Sequence, residues 1–169
     1  MSGDSIAMSN IAAGYRILGR RSLAFRWWKR GADAGDGDDL LEVAYCYHHG
    51  LGVRRNAAAA ARAYAGAIGS TAITQFAREE AMYHLAVLLL STRRTAVVRS
   101  RVVKLLARAN ADGDYPQAAE LATAIDSSRG ALCTCRRGLR PGLGRVHCQR
   151  HRRKLPNKAL NLTALRAAG

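Results

Sequence analysis

The stretch HHGLGVRRNAAAAARAY, residues 48 to 64, constrains the fold more than any other part of the chain. Gly50 and Gly52 follow a helix-like pattern and precede five consecutive alanines, so the chain has to reverse and then lay down a helix carrying almost no side chain. Glycine reaches positive φ without steric cost, which is what helix C-caps and tight turns require. Alanine has the highest intrinsic helix propensity. Asn56 stands immediately before the run, where its side-chain oxygen can accept from the helix's first free N–H groups. The spacing therefore predicts a helix over 39–49, a glycine turn, and a thin helix from Ala57 to about Ile68. Thinness has a packing consequence, because helices with small contact residues can approach to about 8 to 10 Å.

Other segments read as helices too. Over 22–34, Leu23, Phe25, Trp27, Trp28 and Ala32 recur at mostly helical spacing, with Ser22 placed as an N-cap and Gly35 as the stop. Asp36, Asp38 and Asp39 supply the acid favoured at the next helix's N-terminus and read as caps rather than as a metal box. Helices are expected over 75–91, with Phe76, Met82, Tyr83, Leu85, Ala86 and Leu89 on a broad apolar face, and over 97–111. A last one is expected over 115–126, where Pro116 takes an early position that tolerates it. Residues 1–19 read as a lead-in with no assigned element. No segment alternates apolar and polar residues with period two, so the fold class is all-α.

These helices repeat. Trp27 lies eight residues before Gly35 and Leu105 eight before Gly113, while Tyr64 holds the same phase with Ala72 in the glycine position. The steps are 37 and 41 residues. A period of that length built from antiparallel helix pairs points to a short α-solenoid.

The segment VAYCYHHGLGVRRNAAAAARAY resembles the core of a Sel-1-like repeat, a relative of the tetratricopeptide repeat. Tyr47, Gly50, Gly52, Val53, Asn56, Ala60 and Tyr64 match that repeat's pattern, with Val43 and Ala44 in its Leu-Gly place. In the copy that follows, Leu85, Ala86 and Leu89 fit, but Thr92 and Arg94 replace the two glycines. The likeness spans about residues 20 to 126. It implies a bacterial protein–protein interaction scaffold, whose stacked hairpins offer a groove to a protein or peptide partner and carry out no catalysis.

The +15 net charge divides unevenly. Residues 1–128 hold 16 Lys and Arg against all 12 Asp and Glu, a balance of +4, and residues 129–169 hold 11 bases and no acid. Helical patterning also gives way to Gly, Pro, Arg and Cys near Ser127-Ser128-Arg129-Gly130, which sets a boundary there. The chain thus divides into a lead-in (1–19), a helical-repeat domain (20–126), a basic Cys/His segment (127–155) and a tail (156–169).

Within the basic segment, Cys133 and Cys135 form C-x-C, and Cys148 and His151 form C-x-x-H. Four such ligands can surround a tetrahedral Zn²⁺, at about 2.3 Å for sulfur and about 2.0 Å for nitrogen. His147 is a spare ligand. Free thiols in an extension, or redox chemistry, are the other readings. With no carboxylate in the tail to act as a general base, a zinc ion there would be structural. Arg136, Arg137, Arg140, Arg145, Arg150, Arg152, Arg153 and Lys154 could neutralise phosphates. That gives an alternative reading, a nucleic-acid-associated protein. The absence of Phe, Tyr and Trp after Tyr115 argues against base-specific RNA reading.

Catalytic signatures are missing: there is no G-x-x-x-x-G-K-S/T, no G-x-S-x-G and no H-E-x-x-H. Cys46 beside His48 and His49 reads as packing rather than as a nucleophile, and His84 as structural. The N-terminus has early acid and no basic flank leading into an apolar stretch, and the best apolar run, AVLLL at 86–90, falls far short of a membrane span of about 20 residues. A cytoplasmic location without membrane contact is the expectation.

Overall fold

The computed structural model describes residues 3–92 and 95–133. Among them it is all-helical, with seven helices: α1 (Gly3–Ile17), α2 (Arg21–Asp33), α3 (Gly37–His49), α4 (Ala57–Gly69), α5 (Gln75–Thr92), α6 (Ala96–Ala109) and α7 (Pro116–Cys133). Each helix packs on its chain neighbours, and the closest pairings are α1 with α2, α3 with α4 and α5 with α6. None of the described helices is long and apolar enough to cross a membrane.

Helix ends follow local chemistry. Asp36 caps α3, its Oδ1 accepting from the N–H groups of Asp38 (2.9 Å) and Asp39 (3.1 Å). Asn56 caps α4 by accepting from Ala59 N–H at 3.0 Å. Thr95 caps α6 through Val98 N–H at 3.3 Å. Gly50 ends α3 in the left-handed region at φ 75°, donating to the Cys46 carbonyl. Ser22 does not cap α2. The N-cap position falls on Arg20, which makes no side-chain cap bond, because the Gly19 turn at φ 71° starts the helix earlier.

Two further differences from the sequence reading have physical reasons. Residues 3–17, read as a lead-in, form α1, whose fully buried residues are the small Ser5 and Ala12; Tyr15 packs partly buried on the Trp28 cluster, while Ile6, Ile11 and Ile17 are exposed. Its apolar pattern therefore points away from the interface. At the other end, α7 continues through Ser127-Ser128-Arg129-Gly130 to Cys133. Ser127 Oγ bonds the Thr123 carbonyl at 2.8 Å, so the first of these serines finds its partner inside the helix.

Two apolar clusters fill the interior. One, formed by Ala12, Ala24, Trp28, Val43 and Cys46, ties α1 and α2 to α3. The other runs from Leu41 and Ala44 through Ala60, Tyr64 and Ala67 to Leu85, Leu88, Leu106, Ala118 and Ile125. Tyr47 packs against both. Alanine dominates where α3 meets α4, and a Cβ on Gly66 would come within 3.2 Å of a Leu40 methyl. Within the alanine run of α4, Ala60 is fully buried and Ala57 and Ala61 pack partly buried on the same cluster.

The helices form two layers. Three odd-numbered helices meet directly, since α3 contacts α5 and Ser9 of α1 donates to Asp39 of α3 at 2.8 Å, whereas α7 packs on α6. Even-numbered helices spread apart, leaving a groove of about 260 Å³ between α4 and α6 that reaches down to Leu85 of α5.

Candidate functional site

The repeat-motif residues build the turn between α3 and α4. Tyr47 packs edge-on against Phe25, with ring centroids 5.4 Å apart, and its carbonyl accepts from Asn56 N–H at 2.9 Å. Gly52 has φ 71°, and a Cβ there would run into the Arg21 carbonyl at the start of α2. Val53 packs on the cluster containing Trp28. Ala60 and Tyr64 are fully buried. The turn therefore closes the hairpin and also seats it on the preceding helix pair. These residues are architectural.

What they hold is a seam of aromatic rings and imidazoles where α3, α4 and α5 meet. Tyr45 stacks at a tilt on His49, centroids 4.2 Å apart, and meets His84 of α5 edge-on at 5.2 Å. His48 stacks on His49 at 4.3 Å. The His84 ring lies 6.0 Å from Tyr64 and 5.5 Å from Tyr83, and its Nε2 is 3.3 Å from Glu80 Oε1. Asp38, Glu42, Tyr45 and His49 fall at helical spacing along one stripe of α3. Tyr45 and His84 are half-buried and His49 is exposed, so the seam reaches the surface.

Burial sets the protonation of its inner members. His48 is buried and pushed down to about 4, chiefly by loss of hydration and then by the neighbouring His49, His84 and Arg55. It is neutral at physiological pH, with Nδ1 3.2 Å from the Tyr64 hydroxyl, so each buried polar group satisfies the other. Burial, with a contribution from Glu120, raises Tyr83. Cys46 is 2% exposed, and burial lifts its thiol to about 12, with Glu42 adding to the shift. A thiol in that setting stays protonated and packs as a small apolar group, as the sequence suggests.

A buried carboxylate joins the odd layer on the other side. Asp39 is 2% exposed; its Oδ1 takes the Ser9 hydroxyl, and its Oδ2 has no hydrogen-bond partner among the described residues. Gly31 of α2 makes the space for it, since any Cβ at that position would collide with the carboxylate. Desolvation dominates and lifts Asp39 to about 6; Ser9 opposes this, and Asp36, Glu42 and Asp38 add to it. Asp38 faces the other way, accepting from Thr74 N–H at 2.9 Å and from its hydroxyl at 3.2 Å. Capping and loop-anchoring account for Asp36 and Asp38, and among the described residues no group of three or more His, Cys, Asp or Glu is placed to hold a metal ion.

Charge separates between the layers. The odd helices carry eight acids, Asp4, Asp38, Asp39, Glu42, Glu79, Glu80, Glu120 and Asp126, against three bases, a net of −5. The even helices carry nine bases against Asp33 alone, a net of +8. Asp33 is itself paired with Lys29 at 2.8 Å. Nothing in the composition suggests this separation; it emerges only when residues are assigned to alternate helices.

Cys133 is the last residue of α7. The remaining proposed zinc ligands, Cys135, Cys148 and His151, lie outside the described residues, as do Arg136, Arg137, Arg140, Arg145, Arg150, Arg152, Arg153 and Lys154. Sequence reasoning missed Asp39 as a buried carboxylate and Tyr45 with His84 as a unit. Only the spacing of acid and aromatic residues on α3 could have pointed to them. Comparison of the chain with models of known protein families, with curated proteins and with solved structures finds no match.

Proposed function

We propose that the protein is a non-catalytic adaptor, a short α-solenoid of the Sel-1-like kind, that holds a basic segment of a partner protein along its odd-numbered helices. One observation supports this reading: the acidic helices α3 and α5 are in contact, and Tyr45, His49 and His84 meet there, on the stripe of α3 that carries Glu42 and with His84 Nε2 3.3 Å from Glu80 Oε1. Arginine suits such a surface, because its planar cation stacks on tyrosine faces and pairs with carboxylates. The turn built by Gly50, Gly52 and Asn56 fixes the angle between hairpins and so the spacing of these groups. On this reading the protein acts in the cytoplasm, with a zinc ion at Cys133, Cys135, Cys148 and His151 serving structure rather than chemistry.

Selection of displayed random peptides on the immobilised full-length protein tests the proposal. Enriched peptides should contain Arg or Lys and should lose binding to Tyr45→Ala and Glu42→Gln variants whose helical circular dichroism is unchanged. Enrichment of acidic peptides, no enrichment at all, or peptides that bind both variants as they bind the native protein would each reject it.

A further inference from the structure

The even layer carries a second surface with its own chemistry. In the groove between α4 and α6, Ile68, Leu85 and Leu105 line the floor, while Arg101, Lys104 and Arg108 stand along the α6 wall. These three bases are exposed and lie at i, i+3 and i+7, a single stripe over two helical turns that rises about 10 Å along the axis. None of them forms an ion pair among the described residues, and α6 contains no acid. The opposite wall is nearly uncharged, because α4 has one base, Arg62, and no acid. The groove is therefore asymmetric, with an apolar floor, one cationic wall and one neutral wall.

We propose that this groove is a docking site for an acidic amphipathic helix of a partner protein, distinct from the basic segment assigned to the odd layer. The occupant follows from charge and shape together. Carboxylates at i, i+3 and i+7 on the partner would run alongside the stripe of α6, and an adjoining apolar flank would cover Ile68, Leu85 and Leu105. Helices are held in grooves through anchors at this spacing. A nucleic-acid backbone would use the cations but would leave the apolar floor uncovered, and no aromatic ring lines the groove for bases to stack on. The two layers would then join two partners of opposite charge on one small scaffold.

The test is a titration of the full-length protein into a fluorescent synthetic helix with leucines on one flank and glutamates at the matching spacing on the next. Saturable binding is expected, weakened about tenfold or more in a triple Arg101→Gln, Lys104→Gln, Arg108→Gln variant that keeps its helical circular dichroism. A peptide with its leucines replaced by serine should bind more weakly by a similar factor. Failure of the native protein to bind the helix, or equal binding by the triple variant, overturns the proposal. Equal binding of the leucine-free peptide also overturns it, since bare charge attraction would then suffice. Two other occupants have their own signatures: loss of polyuridylate or duplex DNA binding in the triple variant would assign the stripe to phosphates, and loss of native self-association in that variant would assign it to a second copy of this chain.

Discussion

Asp39 and His48 make opposing contributions to stability, and their opposition sets how the protein responds to acid. The folded-state value of Asp39 is raised from 3.8 to about 6. The folded chain therefore holds a proton that the unfolded chain has already released, and stability falls as pH rises from about 4 to about 6. Two units at 1.36 kcal/mol each amount to about 3 kcal/mol. His48 works the other way, since its folded value is lowered from 6.5 to about 4. Its contribution is complete above about 6.5 and is lost as pH falls toward 4, again by about 3 kcal/mol. Over their shared range the two nearly cancel, which leaves the native contribution from this pair almost flat. Asp39→Asn keeps the acceptor for Ser9 and removes the charge, so its unfolding free energy should drop on acidification by about 3 kcal/mol more than that of the native protein. His48→Gln should do the reverse and gain stability over the same interval. Urea unfolding followed by circular dichroism at several pH values measures both. Parallel pH profiles for native protein and Asp39→Asn would refute the placement of that carboxylate between Ser9 and Gly31.

Other consequences can be checked independently. Gly52→Ala should lower stability by about 2 to 4 kcal/mol, because the new Cβ meets the Arg21 carbonyl, whereas Gly35→Ala, at φ 95° with open space around it, should cost only about 1 to 2 kcal/mol; equal falls in melting temperature would contradict the seating of the turn on α2. Purified full-length protein should carry zinc near one equivalent by elemental analysis and lose it in Cys133→Ser and Cys148→Ser variants, and a content near zero in reducing buffer would remove the zinc proposal. Because α7 runs to Cys133, a chain ending there keeps the helix whole. Salt-titrated DNA and RNA binding by that chain and by the full length should not differ if the adaptor reading is right. A tail-dependent affinity that falls steeply with salt would support nucleic-acid association instead.

Much of this architecture is legible in the sequence, and the limits of that legibility are physical. The turn at Gly50, the cap at Asn56 and the buried phase at Tyr64 follow from residue types that do one thing well. The 37-residue step from Trp27 to Tyr64 links α2 to α4 but is one residue out of phase, because Tyr64, eighth in α4, corresponds to the buried Trp28, eighth in α2. Helix α1 was not readable, because an interface built on Ser5, Ser9 and Ala12 leaves no apolar stripe and its isoleucines face outward. The end of α7 was hidden by serine and glycine, which mark breaks only when the backbone has no better option. The seam at Tyr45 and His84 joins positions 39 apart, and only the α3–α5 contact brings them together.

Hydrogen–deuterium exchange of the full-length protein, with and without a basic peptide enriched by the selection, tests the adaptor reading most directly. Added protection should fall on residues 38–49 of α3 and 80–87 of α5, with α4 and α6 unchanged. Protection confined to α4 and α6, or none despite bound peptide, would contradict the assignment of partner binding to the acidic layer.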